Sequence, residues 1–136
     1  RNDKLNKFST MNSKISYPSF EGKVIKGNQI GRKLGFPTAN IDTPTIPPKK
    51  GVYIAEVNIE NKKYYGLLNV GIRPTLQYSD LRVEIHIFDF NKDIYSKNLR
   101  ITPLFFIRDE QKLDSMAALK QQIEKDKTFA LAWLKQ

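Results

Sequence analysis

Cysteine is absent from this 136-residue chain, and with it any disulfide framework or thiolate metal site. Histidine occurs once, at His86, so the usual histidine-rich zinc centres are excluded as well. No apolar run approaches the roughly 18 residues needed to span a bilayer, Ile101 to Ile107 being among the longest. Nor does a signal-like apolar segment open the chain, and the expectation is a soluble, cytoplasmic protein. Acids are scarce at one end: residues 1–50 hold ten Lys or Arg against three Asp or Glu, so +7 of the net +9 lies there. A polyanionic partner, nucleic acid or a nucleotide triphosphate, would suit that asymmetry. Surface lysines that merely keep a small protein dissolved would produce it too.

What is present is enough for one core. The hydrophobic fraction of 40% lies near the globular range, and 136 residues are too few for two domains. Residues 1–19 are polar, lysine-rich and without periodicity, and read as a tail or linker with no part in the core; residues 20–136 read as the domain. The chain begins on Arg1 rather than Met, which suggests a shortened chain or a piece of a longer one. Phe20 to Lys26 alternates and predicts a first strand. Val52 to Ile59, Lys63 to Val70, Arg82 to Phe90 and Leu99 to Ile107 are short runs rich in β-branched and aromatic residues, each bounded by Gly, Asn, Asp or Pro. Strands so spaced, with no helices between them, predict an antiparallel sheet closed into a barrel or sandwich. Asn61-Lys62 and Asn91-Lys92 are the expected turns. Beyond Asp114 or Ser115, either of which can cap a helix, Met116, Leu119, Ile123, Phe129 or Ala130, and Leu134 recur at helical spacing and predict one or two C-terminal helices.

Between the first two of these strands, residues 27–50 carry three glycines and four prolines and read mostly as loop. A connection of that length in a small domain is usually functional. Gly27, Gly31 and Gly35, with Arg32 and Lys33 among them, suit a phosphate-cradling loop, because glycine lets backbone N–H groups approach an anion. It is neither a Walker A nor a dinucleotide-binding turn, and a glycine-containing surface loop has the same composition. Thr38 and Asn40 stand two apart, and on extended backbone their oxygens converge, as hard ligands for Mg²⁺ would. A proline-initiated turn accounts for the same pair. Glu84, a carboxylate within an apolar strand, suits a general base, and equally an outward, solvated face.

Taken in order, Gly22-Lys23-Val24, Gly31 to Ile41, Gly51-Val52-Tyr53, Asn69 to Thr75, Val83 to His86, Asp89-Phe90, Ile107-Arg108 and Gln122 to Asp126 resemble the bacterial-type riboflavin kinases. That family also forms the C-terminal half of bifunctional FAD synthetases. The resemblance runs from about Phe20 to Asp126. It implies a mainly β fold, a six-stranded antiparallel Greek-key barrel with a C-terminal α-helix. It implies transfer of the ATP γ-phosphate to the riboflavin 5′-hydroxyl, giving FMN and ADP with Mg²⁺ as cofactor. By the same similarity, Gly27, Gly31, Arg32, Gly35, Thr38 and Asn40 would bind ATP, Thr38 and Asn40 would hold the metal, and Glu84 would be the base. Phe36 and Arg108 would touch the flavin. An adenylyltransferase domain on the N-terminal side is implied as a missing partner. The sequence departs from the family pattern where Tyr95-Ser96 replaces Tyr-Gly and Leu113 replaces Phe. The alternatives are a catalytically silent flavin binder, or a basic barrel binding nucleic acid through exposed aromatics such as Tyr64, Tyr65 and Phe88.

Overall fold

The computed structural model describes residues 17–26, 32, 34–44, 49–74 and 79–136, with side chains for all of these except 72–74 and 79–81. Six strands form: β1 (Phe20–Ile25), β2 (Ala39–Asp42), β3 (Gly51–Ile59), β4 (Lys62–Pro74), β5 (Ser79–Ile87) and β6 (Asn98–Arg108). They close into a barrel in the order β1-β2-β5-β4-β3-β6, and every neighbouring pair is antiparallel. Strands β3, β4 and β5 follow one another as neighbours, and β6 returns beside β3, which is the Greek-key order. One helix, α1 (Met116–Leu134), follows, its first turn capped by Ser115, whose hydroxyl accepts from the Ala118 N–H at 3.0 Å.

The barrel interior is built by strict alternation. Phe20 and Val24 of β1, Tyr53, Ala55, Val57 and Ile59 of β3, and Val83, Ile85 and Ile87 of β5 point inward with Leu68, Leu99 and Ile101. Complete burial of a side chain such as Ile85, Leu68 or Ile101 contributes about 1.5–3 kcal/mol. Alternation disappears in the first half of β3, where Val52 and Ile54 are buried along with Tyr53 and Ala55. The outer face there, with Leu67, Phe88 and Phe105, is covered by Ala130, Ile123 and Trp133 of α1. Asp126, 4% exposed, ties the helix down by receiving Arg108 at 2.8–3.1 Å through three contacts. Gln122 donates to the same carboxylate at 3.1 Å.

Several sequence expectations need correction. The stretch 27–50 contains β2, a strand of four residues too short and too polar at its ends to stand out beside its prolines. Strand β5 begins at Ser79 and ends at Ile87, earlier at both ends than expected. The hairpin between β3 and β4 turns on Glu60-Asn61 rather than Asn61-Lys62: both have positive φ, 48° and 68°, and Ile59 pairs with Lys62. In place of an Asn91-Lys92 turn the chain bends at Phe88-Asp89 and Tyr95-Ser96. Tyr17, expected in a tail outside the core, packs edge-on against Tyr53 at 5.3 Å, and the Ser19 and Thr102 hydroxyls bond at 2.7 Å. Gly51 is required by space, since a Cβ there would lie 2.3 Å from the Arg108 carbonyl oxygen.

Ser96 has φ 67°, a conformation that costs a non-glycine residue roughly 1–2 kcal/mol. Its backbone N–H donates to Val24 O at 2.9 Å, which holds it there. Ser96→Gly is therefore expected to raise stability by roughly 0.5–1 kcal/mol, net of the chain entropy glycine adds to the unfolded state. Urea unfolding checks this, and a lowered midpoint would show that the serine side chain contributes more than the strain costs.

Candidate active site

The outer face of β2, β5 and β4 carries a polar row. Asn40, Glu84 and Asn69 are directly opposed across the three strands, because Asn40 pairs with Glu84 and Glu84 pairs with Asn69. Their sequence neighbours Ile41, Val83, Ile85, Leu68 and Val70 face the interior, so alternation forces the three outward together. Outward here does not mean solvated. Asn40 is 5% and Glu84 is 9% exposed, and the amide oxygens of Asn40 and Asn69 are buried without a hydrogen-bond donor among the described residues. Such orphaned acceptors are costly and call for an explanation.

Glu84 is held from both sides. Arg82, two residues back on the same face, places Nε 2.6 Å from one carboxylate oxygen, and the Thr38 hydroxyl donates to the other at 2.9 Å. A carboxylate offers about four acceptor positions, so lone pairs remain for a further proton. Thr38 is positioned by its neighbour as well: His86 Nδ1 donates to the Pro37 carbonyl at 2.7 Å. Two adjacent residues of the strap leading into β2 are thus bonded to alternate residues of β5. The tautomer follows, since a carbonyl can only accept, leaving His86 Nε2 as a bare acceptor that is buried and unpartnered among the described residues.

A cleft of about 790 Å³ reaches this row at Thr38 and Asn40; Lys26, Arg32, Lys92 and Tyr95 border it together with the interior side chains Val24, Ile85 and Ile87. Glu84 does not line it; Thr38 borders the cleft and touches Glu84, and so joins the two. Further along β5 from Glu84, Phe36, 9% exposed, stands edge-on to His86 at 5.5 Å, and His86 to Phe88 at 5.8 Å. Lys127 of α1 reaches over both Phe36 and Phe88, at 5.8 and 5.7 Å.

A family model described as flavokinase, riboflavin kinase, matches residues 15–134. The chain belongs to the riboflavin kinase family. It is 42% identical over 106 residues to a Bacillus subtilis protein described as RNA-binding riboflavin kinase RibR, covering 77% of this chain and 46% of that one. To a bifunctional riboflavin kinase/FMN adenylyltransferase of Buchnera aphidicola it is 42% identical over 112 residues, covering 79% and 36%. The crystal structure of riboflavin kinase from Trypanosoma brucei superposes with a TM-score of 0.65 at 28% identity, covering 90% of this chain and 82% of that one. The chain spans less than half the length of the bacterial relatives named here.

Of the flavokinase residues singled out in the sequence, Thr38, Asn40 and Glu84 come together in one site. Arg32 and Gly35 stand at its edge, where the Gly35 N–H donates to Arg32 O at 3.1 Å. Gly35 has φ 87° with open space around it, so its backbone angle and not crowding calls for glycine. Gly27 and Gly31 lie outside the described residues. Phe36 and Arg108 reach adjacent positions of α1, Phe36 through Lys127 and Arg108 through Asp126, and the Arg108 donors are taken up by Asp126 and the Asp109 carbonyl. Sequence reasoning passed over Asn69, Arg82, His86 and Lys127 as site residues. For Asn69 a signal existed, a lone polar residue in an apolar strand, the same signal that drew attention to Glu84.

Burial holds His86 below the ordinary histidine range; nearby Lys127 adds to the effect and the bond to Pro37 opposes it. The unfolded chain, with an ordinary value of 6.5, then takes up a proton before the folded chain does, so stability falls as pH drops below that value. His86→Gln keeps a donor for Pro37 but cannot titrate. Its urea midpoint is expected to fall less than the wild-type midpoint between about pH 7.5 and about 5.5, and an identical fall would assign the pH dependence to other groups.

Proposed function

We propose that this chain is a riboflavin kinase, moving the γ-phosphate of ATP to the 5′-hydroxyl of riboflavin and releasing FMN and ADP. The observation that carries the reading is the placement of Glu84. Its carboxylate is fixed between Arg82 and Thr38, Thr38 borders a cleft that Lys26, Arg32 and Lys92 also line, and the aromatic cluster of Phe36, His86 and Phe88 continues along the same strand beside α1. A triphosphate suits the cleft, where Lys26, Arg32 and Lys92 offer positive charge. A flavin ring suits the Phe36, Phe88 and Lys127 side, with Arg108 holding α1 in place beneath it.

The divalent ion such a reaction uses fits the residues present, because Thr38 Oγ1 and the orphaned Asn40 Oδ1 are hard neutral oxygens beside the cleft. Among the described residues no cluster of three or more His, Cys, Asp or Glu could hold a metal by itself, so phosphates and water would complete the shell. Mg²⁺ bound there would neutralise charge on the transferring phosphoryl group. Glu84 accepts the proton of the 5′-hydroxyl as its oxygen bonds to the γ-phosphorus and the bond to the ADP oxygen breaks. Arg82 and Thr38 keep the carboxylate aimed during that exchange.

Two further readings concern the surroundings. The bifunctional relatives carry an adenylyltransferase activity in addition, and we infer that this chain is the kinase portion of a similar longer protein. FMN synthesis suits the cytoplasm, and no helix among the described residues is long and apolar enough to cross a membrane. Of the aromatics behind the nucleic-acid reading, Phe88 is buried, while Tyr64 and Tyr65 are half-buried, Tyr64 against Phe90 and Tyr65 against the core beneath α1.

Incubation with riboflavin, ATP and Mg²⁺ is expected to yield FMN by chromatography with fluorescence detection. A folded chain that yields none would leave a silent flavin-binding or nucleic-acid-binding barrel. Glu84→Gln should lower kcat by about 10²–10⁴-fold with riboflavin still bound. Near-normal turnover in that variant would remove Glu84 from the role of base.

A further inference from the structure

Apart from the indole N–H of Trp133, which packs against Phe105, the buried side-chain polar atoms left unpartnered among the described residues are all acceptors. They are Asn40 Oδ1, Asn69 Oδ1 and His86 Nε2, and all three belong to the outer face around Glu84. Directly opposed residues in antiparallel strands hold their Cβ atoms about 4.5–5.5 Å apart, so Asn40 and Asn69 flank Glu84 closely. A face with several unmet buried acceptors is complementary to a ligand rich in hydroxyls.

The two asparagines are not equivalent. Asn40 lines the cleft together with Arg32 and Thr38, whereas Asn69 does not, and it stands on β4, on the far side of Glu84. Strand β4 touches α1, and two residues along the same face Leu67, opposite His86, begins the apolar surface beneath that helix. Asn69 therefore lies directly beside the carboxylate that meets the reacting hydroxyl, diagonal to His86 of the aromatic cluster and next to the apolar surface beneath α1. In the acceptor a polyol chain joins the reacting hydroxyl to the aromatic ring.

We propose that Asn69 Oδ1 accepts a hydrogen bond from a secondary hydroxyl of the flavin's sugar-alcohol chain, and so selects polyhydroxylated acceptors over simple terminal alcohols. The inference rests on the kinase reading above. It makes Asn69 a specificity residue, distinct from the metal-side role assigned to Asn40.

The test compares riboflavin with a flavin whose N10 chain is 5-hydroxypentyl, which keeps the terminal hydroxyl and lacks the secondary ones. Asn69→Ala should lower kcat/KM for riboflavin by about 10- to 100-fold and leave the analogue within about 3-fold, so that discrimination between the two collapses. The Mg²⁺ concentration for half-maximal rate and the KM for ATP should stay at wild-type values. Asn69→Leu, with the same branching and heavy-atom count and no acceptor, repeats the test should the alanine variant lose its fold, as thermal melting would reveal. Equal losses on both acceptors, an unchanged riboflavin reaction, or a raised Mg²⁺ requirement would each overturn the proposal. Absence of FMN from the wild-type chain would sink the kinase reading itself and is distinguishable from these.

Discussion

Barrel closure through β2 is the constraint on which the site depends. These four residues pair with β1 on one side and β5 on the other, so they bring the beginning of the chain against its middle. Without that seam the sheet would be open, and Asn40 would have no register with Glu84. The seam is reinforced just before the strand begins, where Pro37 O receives His86 and the Thr38 hydroxyl reaches Glu84. Structural and chemical tasks fall on the same short segment, and the bonds that close the barrel also aim the carboxylate.

The second organising contact is the helix on the outer face. An outer barrel face would ordinarily be polar, but Val52, Ile54, Leu67 and Phe105 make it apolar, and α1 removes that surface from water. The Arg108–Asp126 pair fixes the seating. A buried pair of this kind contributes little net stability compared with apolar packing, yet losing one partner is costly, commonly about 3–5 kcal/mol. That asymmetry makes it a device for orientation, and it sets where Lys127 meets Phe36 and Phe88. Both walls of the site, strap and helix, thus converge on β5.

The polar row between these walls is unusual in being both buried and incompletely satisfied. Glu84 has its partners, while the amide oxygens beside it and His86 Nε2 have none among the described residues. A fold that leaves acceptors unmet at one place, with cations lining a cleft next to it, stores a preference for ligands that bring donors and a metal. Ligands bringing donors to those groups would offset the cost of leaving them dry in the free protein.

Much was legible from the sequence. Strand patterning located β1 by its alternation and β3 to β6 as β-branched and aromatic runs bounded by turn residues, because such local signals survive wherever a strand meets the core. It also brought Glu84 and the Thr38–Asn40 pair forward, since isolated polar residues in apolar or proline-bounded contexts stand out locally. The turn positions were off by a residue or more, as at Glu60-Asn61, where the residue adopting positive φ depends on strand register and not on local composition alone. Strand β2 was hidden because its pairing partners lie far along the chain, and four residues among prolines carry no periodic signal. That Glu84 is buried, that Asn69 stands beside it, and that Arg108 serves Asp126 were decided only in three dimensions. Such facts depend on which strands become neighbours, and neighbourhood in a closed Greek-key sheet is set by long-range pairing that no local window of sequence contains.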